Sequence, residues 1–286
     1  MSDRTKGVIA IIVSAFGFAM MAMFVRLCDD YGEPLGGVQK SFFRNIVAFA
    51  VAAAAFRRGG GTPAAVRVST LLVLRSVLGT AGIFANFYAL GLIPIAEAQT
   101  LNKTAPFFTV VFAWLFLGEK AGRSQIAALA VAFIGMVLIA KPGFADVHAL
   151  PLAAALLGGV CAGAAYTCLR ALRRRDCPPA FIVLFFSAFS CAVSAPITAA
   201  CFVPMTWPQT LILLGAGAGA AIGQFGVTTA YGYAAPRDVA VYDYTNILFT
   251  AALGFLFFGQ IPDALSLAGF AAVIFAAFIM SRRGVV

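Results

Sequence analysis

Residues 94–119 read PIAEAQTLNKTAPFFTVVFAWLFLGE, and residues 236–260 read PRDVAVYDYTNILFTAALGFLFFGQ. Laying Gly118 on Gly259 puts Glu119 on Gln260, Leu115-Phe116-Leu117 on Leu256-Phe257-Phe258, Thr109 on Thr250 and Thr104 on Thr245. Both stretches begin at a proline, and both interrupt an apolar run with polar groups in the first half. Those groups are Gln99, Asn102 and Lys103 in the first, and Tyr242, Asp243, Tyr244 and Asn246 in the second. The same helix occurs twice, and its polar half is where function is expected.

Around this pair the composition excludes a soluble domain. With 62% hydrophobic residues, 28 Phe and 11% charged residues, the chain cannot hide its apolar side chains in one aqueous core. A polytopic membrane protein follows, with the bilayer as its first partner. The net charge of +9 does not indicate nucleic acid, because the basic residues sit in short clusters between apolar runs rather than on one face. The six cysteines show neither metal spacing nor a compact disulfide framework and read as small membrane-compatible fillers. No metal or cofactor motif is present in the sequence.

A hydrocarbon core about 30 Å thick takes about 20 apolar residues as helix. Ten such runs are predicted, at 7–27, 35–56, 70–91, 94–117, 123–140, 150–170, 179–202, 209–232, 236–258 and 263–281. The first lacks a small-residue cleavage site before Arg26-Leu27-Cys28-Asp29 and reads as a retained span. One set of loop ends holds Arg4, Lys6, Arg57, Arg58, Arg67, Lys120, Arg123, Arg170, Arg173, Arg174, Arg175, Arg237, Arg282 and Arg283, whereas the other holds Arg26, Lys40 and Lys141 with acidic Asp29, Asp30, Glu33, Asp146 and Asp263 among them. Cytoplasmic loops retain Lys and Arg, so both termini are expected in the cytoplasm. Two sets of five helices, 1–145 and 146–286, then enter the membrane from opposite sides. The expected fold is all-α, a 5+5 inverted repeat, in which substrate sites lie near the midplane between the halves.

A resemblance to a known family rests on particular residues. Phe112-Ala113-Trp114-Leu115-Phe116-Leu117-Gly118-Glu119-Lys120, the proline-led start after Tyr88-Ala89-Leu90, and Asp243-Tyr244-Thr245 with Leu256-Phe257-Phe258-Gly259 resemble EamA-type members of the drug/metabolite transporter superfamily. Leu101-Asn102-Lys103 before Pro106-Phe107-Phe108, and Phe42-Phe43-Arg44-Asn45, are similar to a common bacterial branch of it. The resemblance spans essentially the whole chain. It implies ten helices in two repeats and transport of a small metabolite across a bacterial inner membrane, without naming a substrate. Gln260 departs from the family's commoner Glu, so a required carboxylate there is not expected.

Intramembrane charges carry the residue-level argument, since each costs about 2.5–3.5 kcal/mol near the centre of a spanning helix. Lys103 lies roughly 14 Å into its helix, close to the midplane, where neither interface is within easy reach of its side chain. Asp243 enters from the other side toward the same depth. It is either the ion-pair partner of Lys103 or a proton carrier, and a pair opened by substrate would serve as a gate. An unpaired carboxylic acid in a dry site favours its neutral form, which suits proton coupling. Arg44 needs a partner or a cavity, and can clamp a carboxylate or tie helices together through carbonyls. Arg75, a turn or so from the cytoplasmic end, is expected to snorkel out. Glu97 and Asp238 follow Pro94 and Pro236 and read as helix-start residues.

Asn86, Tyr88, Gln99 and Asn102 could line a polar cavity from the first half. Tyr166, Gln224, Tyr231, Tyr242 and Tyr244 could line it from the second. The one histidine, His148, falls in a loop, and the sequence has no nucleophile elbow, HExxH or phosphate loop, so an enzyme is not expected. A membrane scaffold or assembly subunit would account for the helices but not for Lys103 and Asp243 recurring at matched depth. Excess buried positive charge favours a small carboxylate-bearing substrate, with amino acids fitting best, an ammonium group meeting Asp243 or a tyrosine face, and nucleotide-like or vitamin substrates left open.

Overall fold

The structure, a computed structural model, describes residues 1–60, 68–90, 92–93, 95–140, 149–259 and 261–282. The described residues contain helices and no strand. In chain order these are α1 (Asp3–Leu27), α2 (Gly37–Arg58), α3 (Thr70–Leu90), α4 (Ile95–Asn102), α5 (Ala105–Leu117), α6 (Arg123–Ala140), α7 (Ala149–Arg173), α8 (Pro179–Ala200), α9 (Trp207–Tyr233), α10 (Pro236–Val239), α11 (Thr245–Phe258) and α12 (Ala264–Arg282). Seven helical stretches among the described residues are long and apolar enough to cross a membrane, and 70–86 and 264–280 form two shorter apolar helices. The N-terminal half of α2 is more polar, with Gln39, Lys40, Ser41, Arg44 and Asn45 all buried. Within each helix the backbone ladder pairs the interior N–H and C=O groups, as a lipid surrounding requires.

The sequence predicts the fourth and ninth helices as continuous, and the structure corrects both. The fourth is divided at Lys103-Thr104 between α4 and α5, and the ninth passes through a 3-10 segment at Ala240–Tyr244 between α10 and α11. Pro106 offers no N–H to the carbonyl of Asn102, which helps explain the first interruption. No proline accounts for the second. The two segments nevertheless repeat in detail. Thr104 Oγ1 donates to the Leu101 carbonyl at 2.6 Å, and Thr245 Oγ1 to that of Tyr242 at 2.7 Å. Thr109 and Thr250 each donate to the carbonyl four residues back, at 2.8 Å in both cases. Each segment ends on a left-handed glycine, Gly118 at φ 69° and Gly259 at φ 63°, a conformation that costs glycine little.

The helices pair in a regular way: α1 runs along α9 and α3 along α7, α2 packs on α8, and α6 packs on α12. Small residues make these crossings close. A Cβ on Gly135 of α6 would fall 2.8 Å from the Gly269 carbonyl of α12, and one on Gly269 would fall 2.5 Å from the Gly135 carbonyl. Backbone touches backbone there, which is how helices associate where lipid removes the hydrophobic drive. Gly135→Leu is therefore expected to destabilise the bundle by about 1–3 kcal/mol. A lowered detergent melting temperature would show it, with Gly36→Ala, whose added Cβ meets nothing within 4 Å, as the unaffected control. The six cysteines are all free.

Candidate functional site

The two interruptions meet in the interior. Lys103 Nζ stands 3.9 Å from Asp243 Oδ2, with side chains 19% and 12% exposed. That separation is an ion pair without a direct hydrogen bond. The Tyr244 hydroxyl, on a residue fully buried, donates to the Lys103 backbone carbonyl at 2.9 Å and ties one break to the other. The neighbouring helices are cut to fit. A Cβ on Gly159 of α7 would lie 2.4 Å from Thr104 Oγ1 and 2.8 Å from the Leu101 carbonyl, so only glycine lets α7 reach the first break. Next to it, Gly158 is flanked by Asn102 Nδ2 and Asn86 Cβ, which brings those two predicted polar residues together. Asn86 Oδ1 is buried without a partner. On the second copy, Asn246 Nδ2 donates to the Ala15 carbonyl of α1 at 2.8 Å.

Two buried arginines share the same interior. Arg44 on α2 is 7% exposed; its Nη1 approaches Met21 Sδ at 3.3 Å, its Nη2 donates to Asn45 Oδ1 at 3.3 Å, and its Nε has no partner. Asn45 in turn donates to Ser190 Oγ of α8 at 2.8 Å, anchoring this stretch of α2 to α8. Arg75 contradicts the expected snorkelling. It is 2% exposed, stacked 3.7 Å over the Phe186 ring, and its Nη2 donates to Gln224 Oε1 at 3.0 Å. Its position near a helix end allowed escape to the interface, but Phe186 of α8 and Gln224 of α9 hold it inside. Tyr166 of α7, half-buried, has its ring 5.7 Å from that of Tyr231.

The other expected residues are distributed around this set. Gln224 and Tyr242 are buried, and Tyr231 is buried in the main apolar core with Tyr242 and Tyr244. Tyr88, 49% exposed, lies in the last turn of α3. The Gln99 side chain, Gln260, Asp146 and His148 lie outside the described residues. Asp238 sits in the first turn of α10 as expected and accepts from Gln125 Nε2 at 2.9 Å.

Sequence reading singled out neither Phe186 nor Gly159 as a site residue and expected Arg75 to snorkel outward. The only available signal was chemical, an arginine one turn before Gly79 in an otherwise apolar helix. At the arginine-rich end, Arg170 of α7 bonds Glu119 Oε1 through Nε at 3.0 Å and the Tyr231 carbonyl through Nη1 at 3.0 Å, closing α5, α7 and α9 on one another. Arg26 on α1 instead lies 4.8 Å over the Phe258 ring at the end of α11.

Two interrupted helices that bring a lysine and an aspartate together inside a helical bundle form an arrangement of the kind found in membrane transporters built on discontinuous helices. The chain belongs to the EamA-like transporter family, whose pattern residues 5–141 match. It is similar to the pseudopaline exporter of Pseudomonas aeruginosa, 31% identical over 278 residues that cover 97% of this chain and 96% of the relative. It is also similar to a riboflavin transporter of Rhizobium johnstonii, 30% identical over 212 residues, or 73% of this chain and 69% of that one. One solved crystal structure superposes with a TM-score of 0.80 at 20% identity, covering 94% of this chain and 96% of the other, and shares the fold.

Proposed function

We propose that the protein is a secondary active transporter of a small, polar, carboxylate-bearing metabolite, working by alternating access around the Lys103–Asp243 pair. The observation that carries this reading is that both discontinuous segments break at corresponding positions and meet there, Lys103 Nζ 3.9 Å from Asp243 Oδ2. Interrupted helices that join at a charged interior point are the way transporters build a midplane site without exposing backbone to lipid.

The ten-span, 5+5 inverted arrangement, with halves at 1–145 and 146–286, is part of the same proposal. Its support is the pattern of helix pairs. Exchanging the halves turns the α1 and α9 contact into the α7 and α3 contact, turns α5 on α7 into α11 on α1, and leaves α2 on α8 and α6 on α12 unchanged. The arginine-rich end, where Arg4 donates to the Met280 carbonyl, then faces the cytoplasm with both termini, in a bacterial inner membrane. Protons are the proposed coupling ion, taken up by Asp243. The pseudopaline exporter, matched over nearly its whole length, favours outward movement. No step of this scheme calls for enzymatic chemistry or a cofactor.

The test is an untargeted comparison of metabolites inside and outside cells with and without the protein. A carboxylate-bearing compound that shifts across the membrane with expression is the expected result. Identical profiles over conditions in which the protein is abundant in the membrane would contradict it.

A further inference from the structure

Arg75 and Arg170 are spent differently, although both are arginines on helices of the same bundle. Arg170 is used as a structural arginine is used: Nε and Nη2 reach Glu119, and Nη1 reaches a backbone carbonyl. Arg75 has one hydrogen bond, from Nη2 to Gln224, and its Nε and Nη1 are buried without any partner. Arg44 repeats this, with Nε buried and without partner, and with only a thioether and a neighbouring amide on its other nitrogens. Among the described residues, no carboxylate comes within ion-pair distance of either guanidinium, whereas Lys40, Lys103 and Arg170 each have one. Unmade hydrogen bonds on a buried ion are costly, and an ion buried without a counter-charge costs more.

The surroundings of Arg75 hold the guanidinium in a fixed pose. Phe186 supports one face at 3.7 Å, Gln224 holds one nitrogen, and a Cβ on Gly79 would fall 2.8 Å from Nη1 and 2.9 Å from the Phe186 ring. Glycine at 79 is what leaves room for the pose. A stacked, pre-aimed guanidinium loses little side-chain freedom on meeting an anion, and carboxylates match its donor geometry. Arg75 stacks on Phe186 while Asn45, next to Arg44, bonds Ser190 one turn further along α8, so the two cations come from α2 and α3 onto the same stretch of α8. Lys103 has Asp243, whereas Arg44 and Arg75 leave two buried positive charges without a carboxylate partner among the described residues.

We infer that Arg75, with Arg44, is a substrate anchor, and that the cargo carries two carboxylates, one for each guanidinium. This rests on the transporter reading above but narrows the cargo from carboxylate-bearing compounds to dicarboxylates.

Binding to purified protein in nanodiscs tests it, with dicarboxylates from malonate to adipate compared with the monocarboxylates of equal length and with chloride. At least one dicarboxylate should bind about tenfold or more tighter than its monocarboxylate. Arg75→Gln should weaken that dicarboxylate by about 10- to 100-fold and erase the preference, as loss of charge-assisted hydrogen bonds implies. Arg75→Lys, which keeps the charge and loses the planar donor set, should weaken it by a smaller factor, and serves if the glutamine variant does not fold. Gln224→Leu keeps the cation and removes its tether, and should cost several-fold in dicarboxylate binding with no change for chloride.

The inference is overturned if no dicarboxylate outbinds its monocarboxylate. It is equally overturned if folded Arg75→Gln or Arg75→Lys binds the dicarboxylate as tightly as the unmodified protein. Binding is read without transport, so a failure of the Lys103–Asp243 scheme would appear in flux with this preference intact. A failure of the anchor would leave flux dependent on the pair.

Discussion

Lys103→Met abolishes transport and leaves the protein in the membrane in undiminished amount. Methionine keeps the length and the apolar stem of lysine, so packing around the α4–α5 break is preserved. The hydrogen bond that joins the breaks, from the Tyr244 hydroxyl to residue 103, goes to the backbone carbonyl and does not depend on the side chain. Insertion gains, since a charge that costs about 2.5–3.5 kcal/mol at the centre of a spanning helix is removed. At 3.9 Å and without a direct hydrogen bond, the ion pair contributes little structural cohesion to be lost. Metabolite distribution and membrane abundance measured together decide the matter. Loss of the folded protein along with transport would make Lys103 a structural residue.

Asp243→Asn separates proton coupling from substrate movement. The amide imitates the protonated carboxyl in shape and charge, so the variant should exchange substrate between equal pools at close to the unmodified rate. If the carboxylate served only to neutralise Lys103, the same change would strand a buried cation and cost about 3–5 kcal/mol, and Lys103→Met in the same chain would restore the loss. Detergent melting of both single variants and the double variant reads this directly. A small change in each single variant and only a weak coupling between them are expected here, because the pair has no direct hydrogen bond and both side chains keep some exposure.

How much of this was legible beforehand divides along physical lines. Span limits follow from hydrophobicity, a sum over many residues. The predicted runs at 123–140 and 236–258 accordingly coincide with the helical stretches found, and 7–27 and 209–232 fall within two to four residues of α1 and α9. The register of the repeated segments was also legible, since Thr104 with Thr245 and Gly118 with Gly259 perform the same local tasks. The breaks were not. A turn of helix lost at Lys103-Thr104 or at 240–244 leaves the apolar count unchanged, and only Pro106 hinted at the first.

Among the site residues, Lys103, Asp243, Arg44 and Tyr166 stood out because charge or a lone hydroxyl in an apolar run is costly, whatever surrounds it. Arg75 was misjudged because depth along the chain says how far a side chain starts from the interface and nothing about which way it turns. That direction is decided by Phe186 and Gln224, more than a hundred residues away in sequence. Gly159 escaped notice for a similar reason, as its role exists only once α7 lies against the break in the fourth segment.

The most direct measurement of the central claim is accumulation driven by a proton gradient in proteoliposomes, comparing the unmodified protein with Asp243→Asn on the compound identified by metabolite profiling. The unmodified protein is expected to accumulate it against its gradient, and Asp243→Asn to reach only equal concentrations on the two sides while still exchanging. Full gradient-driven accumulation by Asp243→Asn would contradict the account and leave the aspartate a lining residue with no required charge.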